Sequence, residues 1–505
     1  MLFKRAVLTL SFALIPLGIA ALAGAQVLGN GFASSFAVVG TTTGGVTAFG
    51  GPTLLKAGLT TYNTGEGDGT RWGDYSATVR DPSTPGSFWT IQEFAAGPTV
   101  WGTQVTQLTV GAGGQVAIGR NFTSMTQGAS IVTPPDTDGA VGPSHYAHLI
   151  NGYFAVFDKS GSSSSPVFTE SLSAFWVAAG DTTLTSTVFD PRLVYDRSSA
   201  RWFASSLDNA FQANHFLLAV SNDSDPTHGF KMVSINSDTS GRYWADFDRL
   251  GVNADGVYLS GNMFLISGDQ NDPNYVKTSS FVLPKADLLG ATPTAANLKR
   301  FELTDQNLTG YSQQPVVDVG LLPGASPEQF LSDGIVTNGP SNALRVSTIT
   351  GTGAGASFNP SAGLVTLATG FTPPPNAPQP GNTTALLDTS DGRFSGSAIR
   401  IGSDIWAVNS IAVNGRAGLQ WYQINAGNYA LKQSGLLSDP NLYFYEGSIS
   451  ADESGNVVIG FTGSGTGLTA AATPEPGVNA LLIGLFVSGG LLLRRRRRDP
   501  RRIVL

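Results

Sequence analysis

One short phrase, repeated along the chain, limits what this sequence can fold into: an extended approach segment, a polar turn, then a strand rich in aromatic and β-branched residues. Arg71-Trp72-Gly73-Asp74-Tyr75-Ser76 leads to Val79-Arg80, turns over Asp81 to Gly86, and returns as Phe88-Trp89-Thr90-Ile91. The phrase recurs near Asp138, Asp190, Asp248, Pro315, Gly396 and Glu446, at spacings of roughly 50 to 80 residues. Trp101 to Leu108 alternates as a further strand behind the first copy. A unit of a few antiparallel strands cannot bury both faces until neighbours flank it. Seven copies therefore predict an all-β, seven-bladed β-propeller. The uneven spacing leaves a pair of β-sandwiches or a β-helix as alternatives.

Composition agrees with many short strands and tight turns: 62 glycines, 28 prolines and 13% charged residues in 505. Cysteine is absent, which excludes a disulfide framework, a thiolate zinc site and a cysteine nucleophile. The net charge of −7 hides an asymmetry, because nine basic residues sit at the two ends. Without those nine and Asp499 the rest of the chain carries 20 basic and 35 acidic residues, about −15. An acidic body argues against nucleic-acid binding, which needs cationic surface to displace counterions. The Pro-rich stretch Thr372 to Gly381 reads as an exposed loop between blades.

The ends read as addresses. Lys4-Arg5, the apolar run Ala6 to Leu22, and Ala23-Gly24-Ala25 before Gln26 have the three-part order of a signal peptide over residues 1–25. The expectation is a signal helix, used by the export machinery and cut by signal peptidase after Ala25. A body over 26–462 and a small, polar linker over 463–473 follow. The tail, 474–505, holds Pro474-Glu475-Pro476, an apolar segment over 478–493, and Arg494, Arg495 and five further arginines. That segment predicts a transmembrane helix with its arginines on the cytoplasmic side.

This tail resembles the PEP-CTERM sorting signal of Gram-negative bacteria. The resemblance implies recognition by an exosortase, a membrane-embedded cysteine protease. It also implies an inner-membrane anchor before processing, and a cell-surface or extracellular location afterwards. The body resembles a group of secreted bacterial propeller-like repeat proteins of no settled activity, in Thr133-Pro134-Pro135-Asp136-Thr137-Asp138-Gly139, Asp190-Pro191-Arg192, Asp246-Phe247-Asp248-Arg249 and Gly447-Ser448-Ile449-Ser450. In that group the segment similar to 71–108 comes last, after the one similar to Gly447–Gly460; here it comes first. The reversed order implies a circular permutation. It predicts that the first hairpin lies beside Glu446 to Phe461, and that the two ends of the body seal the ring.

The candidate chemistry is a set of acids at matching points of different copies: Asp74, Asp138, Asp190, Asp248 and Glu446, with Asp136 and Asp246 beside them. If the approach strands line a channel, these carboxylates converge near one mouth. There calcium could bridge them, with Asp136 and Asp138 as candidate ligands, or a pair could hydrolyse a glycoside. The plainer reading is that they cap turns. The distant Glu of a calcium loop is missing, as are an Asp box, a Gly-x-Ser-x-Gly elbow and a His-Glu-x-x-His motif. His145 and His148 fall on opposite faces of a strand, and the tryptophans suit core packing better than sugar stacking. The expected role is an exported binding or structural module, with no cofactor beyond calcium and with extracellular polysaccharide or matrix as partner through the sorting signal. The alternative is a glycan-directed hydrolase or lyase using channel carboxylates.

Overall fold

Each of the seven repeated phrases begins or adjoins the innermost strand of a separate sheet. In this computed structural model, which describes residues 30–65, 69–128, 132–266, 275–320, 327–333 and 341–467, the inner strands are Ala77–Arg80, Asp138–Val141, Val188–Asp196, Tyr243–Val252, Tyr311–Pro315, Ile399–Ile401 and Tyr443–Ala451. These sheets, blades one to seven in that order, are antiparallel except that Val317–Asp318 adds in parallel to the inner side of Ile399–Ile401 in blade six, and together they form a seven-bladed β-propeller. The signal segment with Ala23 and Ala25, and the tail with Pro474, Glu475, Pro476, Arg494 and Arg495, lie outside the described residues. Among the described residues no helix is long and apolar enough to cross a membrane.

Blade geometry follows from burial. A second strand lies between two neighbouring blades, so it is covered on both faces and reads as a continuous run: Arg201–Asp208 is buried from Trp202 onward. An outermost strand has one wet face, and Leu431–Leu437 alternates half-buried with exposed positions. The core is therefore divided into layers between blades. Leu207, Phe216 and Leu218 of blade three meet Leu259 and Phe281 of blade four. Trp72, Trp89, Trp101 and Trp202 are fully buried, and Trp244, Trp406 and Trp421 nearly so, as core packing requires. His148 is buried against Phe157, whereas His145 on the other face is half-buried.

Both ends of the body build blade seven. Ser34–Thr43 pairs antiparallel with Asn456–Ser464, in register from Ser34↔Gly463 to Thr41↔Asn456. Val46–Phe49 and Thr53–Lys56 then pair with Ser34–Thr43. The last strand runs through Ser464, two residues beyond the point where the sequence reading closes the body. Blade one lies beside this seam: Thr78 Oγ1 and Ser448 Oγ are 2.8 Å apart, and Ser76 Oγ donates to the Glu446 carbonyl at 2.7 Å. The first hairpin thus neighbours the Glu446 to Phe461 hairpin, as a ring sealed by its two ends requires.

The stretch after Thr372 departs from expectation. It is not a loose loop: Ala377, Gln379, Leu387 and Thr389 are buried. Tyr62 N donates to Gln379 Oε1 at 2.8 Å, and Gln379 Nε2 donates to the Tyr62 carbonyl at 2.7 Å. Thr70 forms a parallel bridge with Leu387. The segment leaves blade five, packs on the arm that precedes blade one, and returns to blade six. It caps one mouth of the ring.

Candidate functional site

The capped mouth is where the inner strands begin, and four of those strands carry a bulge there. Register shifts between Phe189 and Arg192, Asp246 and Arg249, Tyr311 and Gln314, and Tyr445 and Ser448. Each bulge contains a non-glycine residue in the left-handed region: Asp190 (φ 53°), Phe247 (58°), Ser312 (53°) and Glu446 (55°). Asp136, just ahead of the second inner strand, has φ 44°. Such positions are strained, and a bulge re-aims the side chain it carries. Here it turns side chains toward neighbouring blades.

Asp136, Asp138, Asp190 and Asp248 are therefore staples between blades rather than turn caps, which corrects the turn-capping expectation for these four. Asp136 accepts from Asp74 N at 2.8 Å and from Asn151 Nδ2 at 2.7 Å. Asp190 Oδ2 accepts from Tyr75 Oη and from Phe247 N, both at 2.9 Å. Asp248 accepts from Ser205 Oγ at 2.6 Å, and Asp138 forms an ion pair with Arg192 Nε at 2.9 Å. Turn capping belongs to another set of acids at the opposite mouth. Asp81 accepts from Ser83 N and Thr84 N, Asp196 from Ser198 N and Ser199 N, and Asp452 from Ser454 N and Asn456 N. The candidate calcium ligands Asp136 and Asp138 are engaged separately, and among the described residues no three acidic or histidine side chains gather as a metal site.

A stack of rings and guanidinium groups closes the channel. Tyr75 stacks on Phe247 at 5.1 Å, and Arg192 and Arg249 lie over the Tyr75 ring at 4.6 and 4.7 Å. Arg249 donates to the carbonyls of Phe394 and Ser395, and Arg192 Nη2 donates to Ser397 Oγ at 3.3 Å, so blades three and four reach the strand entering blade six. Burial, then the nearby Arg192, lowers the Arg249 pKa to about 9.

Outside this plug lies the accessible part of the mouth. Arg71 pairs with half-buried Asp74 at 2.6 Å, and Arg393 pairs with Asp391 at 2.7 Å while lying 3.9 Å over Phe247. Burial opposes ionisation of Asp74, but Arg71, Arg393 and Arg249 hold its pKa below the usual carboxylate value. Asp246 is half-buried; burial first, then the charges of Asp190 and Asp74, raises its pKa to about 7. An aromatic strip runs outward beside it. Phe211 and Phe264 pack on Trp244 at 4.7 and 5.4 Å, Tyr275 on Phe264 at 5.9 Å, and Tyr311 on Tyr275 at 4.8 Å. Phe211 is exposed, and Phe264, Tyr275 and Tyr311 are half-buried.

Beneath the cap sit two acids with no hydrogen-bond partner among the described residues, Glu93 and Glu446. Burial raises both pKa values well above the ordinary range; Asp136 and Asp74 add to the effect at Glu93, and Glu93, Asp74, Asp388 and Asp136 at Glu446. Of the sequence-derived acids, Asp74, Asp190 and Asp246 meet at the mouth, Asp138 and Asp248 are bound across neighbouring blades, and Glu446 is sealed under the cap. Sequence reading missed Glu93, Arg393, Asp391 and the strip. Glu93 left one signal, a lone acid in the otherwise uncharged strand segment Phe88 to Ala95.

No family model and no curated protein matches the chain. Among solved structures it is similar to a Trypanosoma rangeli sialidase, at 9% identity and TM-score 0.38, over 72% of this chain and 56% of that one. It is similar also to PorZ, a surface component of the type-IX secretion system of Porphyromonas gingivalis, at 12% identity and TM-score 0.34, over 84% and 51%. A third is Zg3597, a family 117 glycoside hydrolase of Zobellia galactanivorans, at 10% identity and TM-score 0.28, over 84% and 96%. The chain spans about half the length of the first two.

Proposed function

We infer that this protein is an exported propeller that binds extracellular glycan at its capped mouth. The observation that carries the reading is the aromatic strip from Phe211 to Tyr311, half open to solvent, beside Asp246, Asp74, Arg71 and Arg393. Sugar rings present apolar C–H faces that pack on aromatic rings, and their hydroxyls need charged donors and acceptors close by. The sorting-signal resemblance of the tail supports delivery by an exosortase to the cell surface or the matrix. The reversed order of the first hairpin supports descent by circular permutation, which a sealed ring tolerates. A glycan array probed with the full chain, with and without calcium, tests the binding. Retention of a glycan by the wild type, and its loss in Phe211→Ala/Tyr275→Ala, is expected; no retention, or equal retention by the double variant, overturns the reading.

One observation favours a glycan hydrolase as a second reading. Asp246 has a pKa near 7 while Asp74 is held ionised, and a pair of carboxyls pushed apart in this way supplies an acid and a base. Release of reducing ends from the retained glycan, abolished in Asp246→Asn with retention intact, would support it.

A further inference from the structure

Past the Tyr75 plug, toward the opposite mouth, the axis of the ring holds a second space with a different chemistry. Its wall is made by the inner strands and is mostly aliphatic, including Val79, Val141, Leu193, Val317, Val319 and Ile399. The centres of water-sized spheres have about 60 Å³ there. Two of its lining residues, Asp138 and Ser397, bind the Arg192 guanidinium, at 2.9 and 3.3 Å. Among the polar groups of the wall, Asp138 is taken by Arg192 and Gly139 N, and Thr78 by Thr90 and Ser448. Ser450 Oγ is buried, at 1% exposure, and has no partner among the described residues.

The open end is cationic as well as acidic. Arg80 lines both this well and an adjoining vestibule of about 130 Å³ by the same measure, which Arg197 and Glu453 also line. Arg80 Nη1 lies 2.6 Å from Glu453 Oε1, but the Glu453 side chain is 58% exposed. An ion pair with so wet a partner is held weakly, so a carboxylate from outside can take its place. An aliphatic well that opens past the Arg80 guanidinium into a vestibule lined by Arg197 is complementary to a hydrocarbon chain with an anionic end.

We propose that the well binds a short aliphatic carboxylate, with its chain between the inner strands and its carboxylate on Arg80 and Arg197. This site is independent of the glycan-binding mouth, from which the plug separates it. Titration calorimetry of the full chain with acetate, butanoate and hexanoate tests it. Each methylene buried should tighten binding about fourfold, so hexanoate should exceed butanoate by roughly fifteenfold. Val319→Phe, which fills the well, should abolish hexanoate binding with an unchanged melting temperature. Ala140→Leu serves the same purpose should the first variant not fold. Arg80→Gln should weaken hexanoate about tenfold and leave 1-hexanol unaffected. No dependence on chain length, hexanoate binding that survives the filling variants, or equal losses for hexanoate and 1-hexanol in Arg80→Gln would each overturn the proposal.

Discussion

Replacing Glu446 by Gln should flatten the dependence of stability on pH, and the size of the change follows from the site. Glu446 is 2% exposed, neither carboxyl oxygen has a hydrogen-bond partner among the described residues, and burial and the acids Glu93, Asp74, Asp388 and Asp136 all favour its neutral form. Its folded-state pKa therefore lies well above the ordinary glutamate value of 4.5. In the unfolded chain the same group ionises near 4.5, so above that pH the folded state binds one proton more. The group's favourable contribution is fully present below the unfolded value and is lost as pH rises. One proton of difference costs about 1.4 kcal/mol per pH unit for as long as the folded carboxyl stays protonated. Gln carries no such proton. Urea unfolding at pH 5, 6 and 7 should show the wild type losing stability with pH more steeply than Glu446→Gln, by at most about 1.4 kcal/mol per unit. Every other titrating group is common to both proteins, so the difference isolates this one. Parallel stability curves would refute the reasoning and mean that Glu446 is ionised when folded.

Two further outcomes follow from other parts of the ring. Phe36 is fully buried at the seam and stacks on Phe461 at 5.8 Å; Phe36→Ala should cost about 3–5 kcal/mol in urea unfolding, and a loss under about 1 would mean the seam is dispensable. Lys285 Nζ lies 2.7 Å from Asp196 with both side chains nearly buried, and it offsets the burial that would otherwise raise the Asp196 pKa. Lys285→Met leaves that carboxylate unpaired, and a loss of roughly 3–5 kcal/mol at pH 7, shrinking as pH falls and Asp196 protonates, should appear in the same assay.

What the sequence disclosed was the part written in local pattern. Period-two alternation and turn residues marked an inner strand in each blade, because those signals depend only on neighbours in the chain. The helix Leu172–Ala179 and the cap after Thr372 are insertions between blades, and they made the spacing uneven without changing the repeat. The cap itself was illegible, since a Pro-rich stretch that predicts exposure in a local reading here places Ala377 and Leu387 in one core cluster with the distant Tyr62 and Trp72. The acids were found as a set, but their role was not. Whether an Asp caps its own turn, as Asp196 does, or crosses to another blade, as Asp190 does, is decided by a left-handed bulge that leaves no signature outside glycine. The aromatic strip joins residues from blades three, four and five, and only the closed ring brings them together.

The seam in blade seven also measures length. Ser34–Thr43 emerges early from synthesis, and its partner Asn456–Ser464 emerges after every other blade strand. Until then the ring is a horseshoe with open hydrogen-bonding edges, however well its middle blades have formed. A chain broken off before Asn456 has no way to cover those edges, and it presents to proteases and to other unfinished chains the surface that the finished ring conceals. Closure thus separates complete products from incomplete ones without any dedicated inspector, because the test of completeness is the last strand itself.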